Sequence, residues 1–499
     1  MIGVGLQARV LLVMALGLAL AGSAAAAAPP AALGLAPDPQ LARWDPSIRF
    51  GVLANGLRYA VEKNTTPKGA VSLRLSLTVG SYDEADDELG AAHMIEHLAF
   101  DGSKSFPEHQ LDLILAPLHV TFAHDRNASS DLKQTAYQMD LPSTDASELD
   151  VATRWLRDVA DGLVFTDAAV ARERAAMESE RRARNADELR VMRARMDAFA
   201  DAGLRTNARF PLGAPDSLAG LSPAKLNAFY RRWYRPQNAV VVMVGDLPLD
   251  VLEAKVKAVF GDWAGQGPEP ARAPRGGPTA MRGPDALALT EPDLPAVAGI
   301  CRIASLDDGA TAEERLHALL LRGLWEAILQ KRINVLKSRK DAPFIEATIN
   351  DETRPDSQKT CVGIIPQPGQ EVRAVGMVEA EIRRFEAEGP TMDETDAGLE
   401  QVRSSVRLAV GGPPHDSRAR ATDILFRIVD GLPQLAPREG LRAFDVMMED
   451  TGPTDVRAAF AKDWAGWGPL APVSSPKPLS AQALKTAMTS DQYKSTGAK

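Results

Sequence analysis

The stretch "GQGPEPARAPRGGPTAMRGPDA" constrains the fold of this chain more than any other. Proline and glycine at that density continue neither a helix nor a sheet ladder, so the chain divides there. The same order of elements recurs on either side. Before it, "RFGVLANGLRYAVEKN" reads as a hairpin around Asn55-Gly56, and "AVSLRLSLTVGS" alternates as a half-buried strand does. Two helical segments follow, from Gly90 to about Phe100 and from Pro107 to about Leu115. Two strands, "HVTFAH" and "TAYQMDLP", lead to the helix "ASELDVATRWLRDVADG". A second helix, "TDAAVARERAAMESERRAR", has Thr166 as its N-cap. "LSPAKLNAFYRRWY" and the strand "NAVVVMVGD" close the unit. After the linker come a strand "AVAGICRIAS", a long helix, strands "FIEATIND" and "TCVGIIPQP", and two more helices. The repeat is one of pattern rather than residue identity. It predicts an α+β protein of two similar domains, each a mainly antiparallel sheet covered by helices.

A length of 499 residues also exceeds what one core accommodates. The expected divisions are a signal peptide over 1–28, a loose Pro/Ala-rich leader over 29–45 and a first domain over 46–266. The linker over 267–286, a second domain over 287–472 and a tail or connector over 473–499 complete the chain. The signal-peptide reading rests on Arg9, the short apolar run "VLLVMALGLALAG" and the small residues of "SAAAAAPP", which suit cleavage near Ala26 to Ala28. That run is too short to span a membrane comfortably, and no later stretch is suited to one. An exported protein is expected, and the alanine-rich style suggests a bacterial periplasm. A net charge of −9 gives no electrostatic basis for binding nucleic acid. The two cysteines, Cys301 and Cys361, lie in strand-like runs. A disulfide and two buried thiols are equally compatible with them.

The chain holds seven histidines, and two of them fall four residues apart in "GAAHMIEHLAF". On a helix, positions i, i+3 and i+4 lie within about 100° of one face. His93 and His97 therefore reach one ion, with Glu96 beside them. A hydrolytic zinc site takes three protein ligands and leaves a place for water, and the water needs a base, for which Glu96 is placed. A polar helix surface is the competing explanation. The apolar neighbours Met94, Ile95, Leu98, Ala99 and Phe100 argue for burial, and burying these three side chains without partners costs several kcal/mol.

The order H-x-x-E-H is the inverzincin signature, and here the sequence resembles the insulysin/pitrilysin family of zinc peptidases. In that family a downstream helix supplies a glutamate as third ligand, preceded seven residues earlier by a second essential glutamate. "ERAAMESE" matches that pair with Glu173 and Glu180. The resemblance implies Glu180 as zinc ligand and Glu173 as a carboxylate that orients the site. Glu178 competes by proximity but lies about 160° around the helix. The separation of His97 from Glu180 is several residues longer than usual, which implies a small insertion. "RNASSDLKQTAY" resembles the family's N-A-x-T…T-x-Y run, with Asn127, Ala128, Thr135 and Tyr137 at matching offsets. In the family this edge strand pairs with the backbone of a peptide substrate.

The resemblance extends over roughly residues 48–470. In the second half His317 stands alone at the position of the metal helix and reads as structural. Active family members also carry, in a C-terminal domain, an arginine and a tyrosine seven residues apart. The stretch "VLKSRKDAPFIEA" puts Lys337 and Phe344 there, with Arg339 nearby as a substrate-binding candidate. Phe344 has no hydroxyl to donate to an oxyanion. The family encloses its substrate with four such domains, so the resemblance implies a homodimer or a heterodimer with a second chain of the same kind, or an N-terminal half. The expectation is an exported zinc endopeptidase acting on peptides or unfolded segments. The rival is a non-catalytic partner subunit that keeps the zinc site.

Overall fold

The computed structural model describes residues 45–493, apart from 109, 184–189, 192–193, 195–202, 214, 274–276, 279–281, 307–309 and 412–414. The expected signal peptide and nearly all of the leader lie outside the described residues. In the first domain β1 (Ile48–Val52), β2 (Arg58–Lys63) and β3 (Val71–Leu77) precede α1 (Ala91–Leu98) and α2 (Gln110–Leu115). Next come β4 (Arg126–Ser130), β5 (Thr135–Leu141), α3 (Ala146–Asp161), α4 (Asp167–Ala183), α5 (Pro223–Trp233), β6 (Ala239–Gly245) and α6 (Leu249–Phe260). The strands form one sheet in the order β1-β2-β6-β3-β5-β4, with only β2 and β6 parallel. This order leaves β4 on an edge.

The second domain opens with β7 (Asp285–Thr290), β8 (Val297–Ala304), α7 (Ala312–Lys337), β9 (Phe344–Thr353), β10 (Gln358–Pro366) and α8 (Glu371–Glu388). It ends with α9 (Met392–Gly411), α10 (Ser417–Val429), α11 (Pro437–Met448), α12 (Pro453–Asp463), β11 (Trp467–Ser475) and α13 (Ala481–Thr489). Its sheet runs β7-β11-β8-β10-β9, again with a single parallel pair, β7 and β11. Two helix-covered, mainly antiparallel sheets are the α+β architecture that the repeated pattern predicts. No helix among the described residues is long and apolar enough to cross a membrane.

Four local expectations change. "AVSLRLSLTVGS" forms β3 but is buried on both faces. Val71, Leu73, Leu75 and Leu77 enter the first core. The opposite face is covered by α10 from the second domain, whose Ala421, Ile424, Leu425 and Ile428 pack with Ala60, Val240, Val242 and Val244. Arg74 on that face is satisfied by Asp140 at 2.7 Å, by Thr422 Oγ1 at 3.2 Å and by the Arg418 carbonyl at 3.1 Å. A buried polar group is tolerated because it is bonded throughout.

"HVTFAH" is not a strand. His119 and Ala123 have φ of 57° and 68°, and the Asp125 carboxylate accepts the Thr121 amide at 2.9 Å and its hydroxyl at 2.7 Å. Left-handed residues and a turn closed by a side chain interrupt a ladder, so the strand begins only at Arg126. The C-terminal stretch from residue 473, expected as a tail, finishes β11 and forms α13. Strand β11 is buried throughout and lies between β7 and β8, and Leu484 and Met488 of α13 join the second core. Pro469 and Pro472 disguise the strand in the sequence; a register shift between Trp467 and Leu470 accommodates Pro469. The linker likewise gives way to β7 at Asp285.

Cys301 and Cys361 face each other across β8 and β10 and are joined as a disulfide. On α8, Glu379 is 3% exposed, and burial pushes its carboxyl up to about 8 against the pull of Arg302 and Arg383. The folded chain therefore holds this proton between about pH 4.5 and 8 while the unfolded chain releases it, so stability falls as pH rises through that window. Glu379→Gln is expected to raise the thermal midpoint at pH 8.5 and leave it near wild type at pH 5. A difference that does not widen with pH would contradict this.

Candidate metal centre

Helix α1 begins at Gly90, whose φ of 93° is a conformation few other residues adopt at low cost. Ala91, Ala92, Met94, Ile95 and Leu98 enter the first core. His93, Glu96 and His97 share the remaining face. The C-terminal carbonyl of Ala99 accepts the Trp155 indole N–H at 3.1 Å. Helix α4 lies against α1 and is anchored by Met177, which is 1% exposed. Glu173 and Glu180 stand about one turn to either side of Met177 on the same face. The hydroxyl of Thr166 accepts the Ala169 amide at 3.1 Å, as its expected role as N-cap requires.

The two helices bring four of the sequence-derived residues together. The Nε2 atoms of His93 and His97 lie 3.2 Å apart. They stand 3.5 and 3.8 Å from Glu180 Oε2. Tetrahedral zinc with bonds of about 2.1 Å separates its ligand atoms by about 3.4 Å, so the three donors fit this ion in both kind and spacing. His97 Nδ1–H donates to Glu173 Oε2 at 3.0 Å, which fixes the ring and leaves Nε2 for a metal. Glu178 turns instead to Arg182, at 3.4 Å.

Glu96 is 9% exposed, and its Oε2 lies 4.0 Å from His93 Nε2. That oxygen is a buried acceptor without a hydrogen bond, as a group reserved for a water molecule or a substrate would be. Burial pushes the Glu96 carboxyl up to about 7, Ser130 and His97 draw it down, and Glu180 raises it further. For His97, burial pulls the pKa down, but Glu173, Glu96 and Glu180 together hold it above the ordinary histidine value.

Asn127 and Ala128 lie on the edge strand β4, where Asn127 Oδ1 accepts the Ala128 amide at 3.0 Å. The Ser130 hydroxyl at the end of that strand donates to Ala92 O in α1 at 3.5 Å, so the open edge passes beside the helix that carries His93 and His97. Beyond it the turn Asp131–Gln134 lines a cavity of about 1300 Å³ between the two domains. Arg339 is not part of this assembly. It follows α7 in the second domain, 3.6 Å from Asp341, which in turn pairs with Arg373 of α8. Phe344 opens β9 and is buried in the second core at 1% exposure.

Two residues of the site were not apparent from sequence. Ser130 carries only the weak signal of lying in the matched strand. Glu84 lies too far from α1 for a local capping pattern, yet its carboxylate accepts the Gly90 and Ala92 amides, both at 2.9 Å. Burial pushes Glu84 up to about 8, against the effect of those two amides.

The description "Insulinase (Peptidase family M16)" matches residues 59–209, and "Peptidase M16 inactive domain" matches residues 220–402. The chain belongs to peptidase family M16. Within the family, it is 39% identical over 215 residues to the probable zinc protease PqqL of Haemophilus influenzae, a match covering 43% of this chain and 23% of that protein. The matched stretch thus spans about a quarter of that relative's length. In fold, the chain is similar to the first half of the periplasmic protease PqqL from Escherichia coli, with a TM-score of 0.78 at 22% identity. That match covers 91% of this chain and 98% of the half. Against the whole E. coli protease the TM-score is 0.77, at 23% identity, and the match covers 92% of this chain and 51% of that one.

Proposed function

We propose that the chain is an exported zinc-dependent endopeptidase that hydrolyses peptides or unfolded protein segments. The observation that carries this reading is the meeting of His93, His97 and Glu180 donor atoms within 4.8 Å of one another, with a buried carboxylate beside them. Zinc bound by these three residues would polarise a scissile carbonyl and acidify water. The chain's own residues supply the rest. Glu96 takes a proton from the attacking water and delivers it to the leaving amine. Glu173 holds His97 in register. Strand β4, with Asn127 and Ala128, offers main-chain hydrogen bonds to an extended peptide of any sequence. Arg339 is proposed to meet substrate only in an assembly with a second chain of the same family, since its contacts here are with its own domain.

A second reading, a non-catalytic partner subunit, draws on Phe344, a core residue without a hydroxyl. Against it, a structural zinc site is closed by four protein ligands and needs no base. Metal analysis and cleavage of an internally quenched peptide, before and after chelation, test the proposal. About one zinc per chain is expected, with cleavage lost on chelation and restored by zinc. Protein that carries zinc yet never cleaves, even with a partner chain of the family, would leave the subunit reading standing.

A further inference from the structure

Asp356, in the turn between β9 and β10 of the second domain, is 1% exposed. Its carboxylate accepts the Thr206 amide at 2.9 Å and the Thr206 hydroxyl at 2.6 Å. Thr206 belongs to a single helical turn, Arg205–Ala208, in the first domain. The guanidinium groups on either side of it converge on one atom, the carbonyl oxygen of Glu84. Arg205 Nη2 donates to it at 2.5 Å and Arg209 Nε at 3.0 Å. Glu84 is fully buried, and its two carboxylate oxygens accept the amides of Gly90 and Ala92, which open the metal helix. His93 is the next residue.

The first amides of a helix have no partner inside it. A helix of eight residues is too short to hold its own position. The placement of His93 therefore depends on what receives those amides, and a metal tolerates errors of only about 0.2 Å in its ligand distances. We propose that Asp356 of the second domain is a positioning residue for the metal helix, acting through the Thr206 turn and Glu84. This rests on the metal reading above. It gives the second domain a part, through these intermediaries, in holding the metal.

The test uses the full chain with Asp356→Ala, Asp356→Asn and Glu84→Gln. The zinc Kd is measured by competition with a chelator, and amide exchange is followed in the zinc-free protein. Asp356→Ala and Glu84→Gln are each expected to weaken zinc binding about tenfold. They are also expected to speed exchange over residues 90–98 while the second core keeps its protection. Asp356→Asn retains one acceptor for Thr206 and should fall between Asp356→Ala and wild type. Unchanged zinc affinity and local exchange in Asp356→Ala would overturn the relay alone. Loss of protection across the whole chain would overturn it too, by showing general destabilisation. A wild type that binds no zinc would bring down the metal reading and the relay together.

Discussion

Replacing Glu96 with glutamine is expected to slow peptide cleavage about a thousandfold while zinc remains bound. Glutamine keeps the size and one acceptor of glutamate but cannot take a proton. On the proposed mechanism the buried Oε2 of Glu96, 4.0 Å from His93 Nε2, serves proton transfer rather than ligation. In the proposed site the three ligand atoms come from His93, His97 and Glu180, so the metal should stay. Without metal, burial pushes the Glu96 carboxyl up to about 7, and a bound zinc would draw it back toward the ionised form that a base needs. The measurement is kcat for a quenched peptide alongside zinc content. If Glu96→Gln cleaves at the wild-type rate, another group is the base; if it loses its zinc, Glu96 is a ligand.

A larger effect on stability is expected at Arg420. This side chain of α10 is 5% exposed and reaches into the first domain. It bonds Glu62 Oε2 at 2.7 Å and pairs with Asp45 and with Asp423 of its own helix. Breaking a buried ion pair from one side strands the opposite charges, at a cost of about 3–5 kcal/mol. Arg420→Met keeps much of the bulk and removes the charge, so it isolates this effect. Denaturant unfolding should shift by that amount, and adding Glu62→Gln should recover part of it because one stranded carboxylate is gone. A single variant within about 0.5 kcal/mol of wild type, the range of ordinary surface substitutions, would show that the network contributes little.

The two-domain layout was legible because strand and helix periods are local properties. The hairpin at Asn55-Gly56, β8, β9 and β10 all follow from alternation and turn residues. The covering of β3 on both faces was not legible, since it depends on α10, more than 300 residues away in sequence. Strand β11 was hidden by prolines that its neighbours accommodate through a register shift. At the site, His93, Glu96 and His97 could be read directly because a helix fixes their spacing. Glu173 and Glu180 needed the family resemblance, as nothing local says that α4 packs against α1. Glu84, Thr206 and Asp356 could not be found from sequence, because their partners come from three separated segments.

If β4 is the peptide-binding edge of the proposed function, its brevity sets how firmly a peptide can be gripped. Five residues extend about 16 Å, and only alternate residues turn their amide and carbonyl outward from an edge. Arg126 already gives its amide to the Thr121 carbonyl and its carbonyl to the Ala123 amide, so a substrate would gain at most about two pairs of such bonds, each bond worth about 1 kcal/mol net. So short a ledge suits release as much as capture. A peptide cut in two on it keeps only half of its bonds on each fragment, and both fragments leave easily. Turnover by the proposed peptidase would thus be favoured by the strand being no longer than it is.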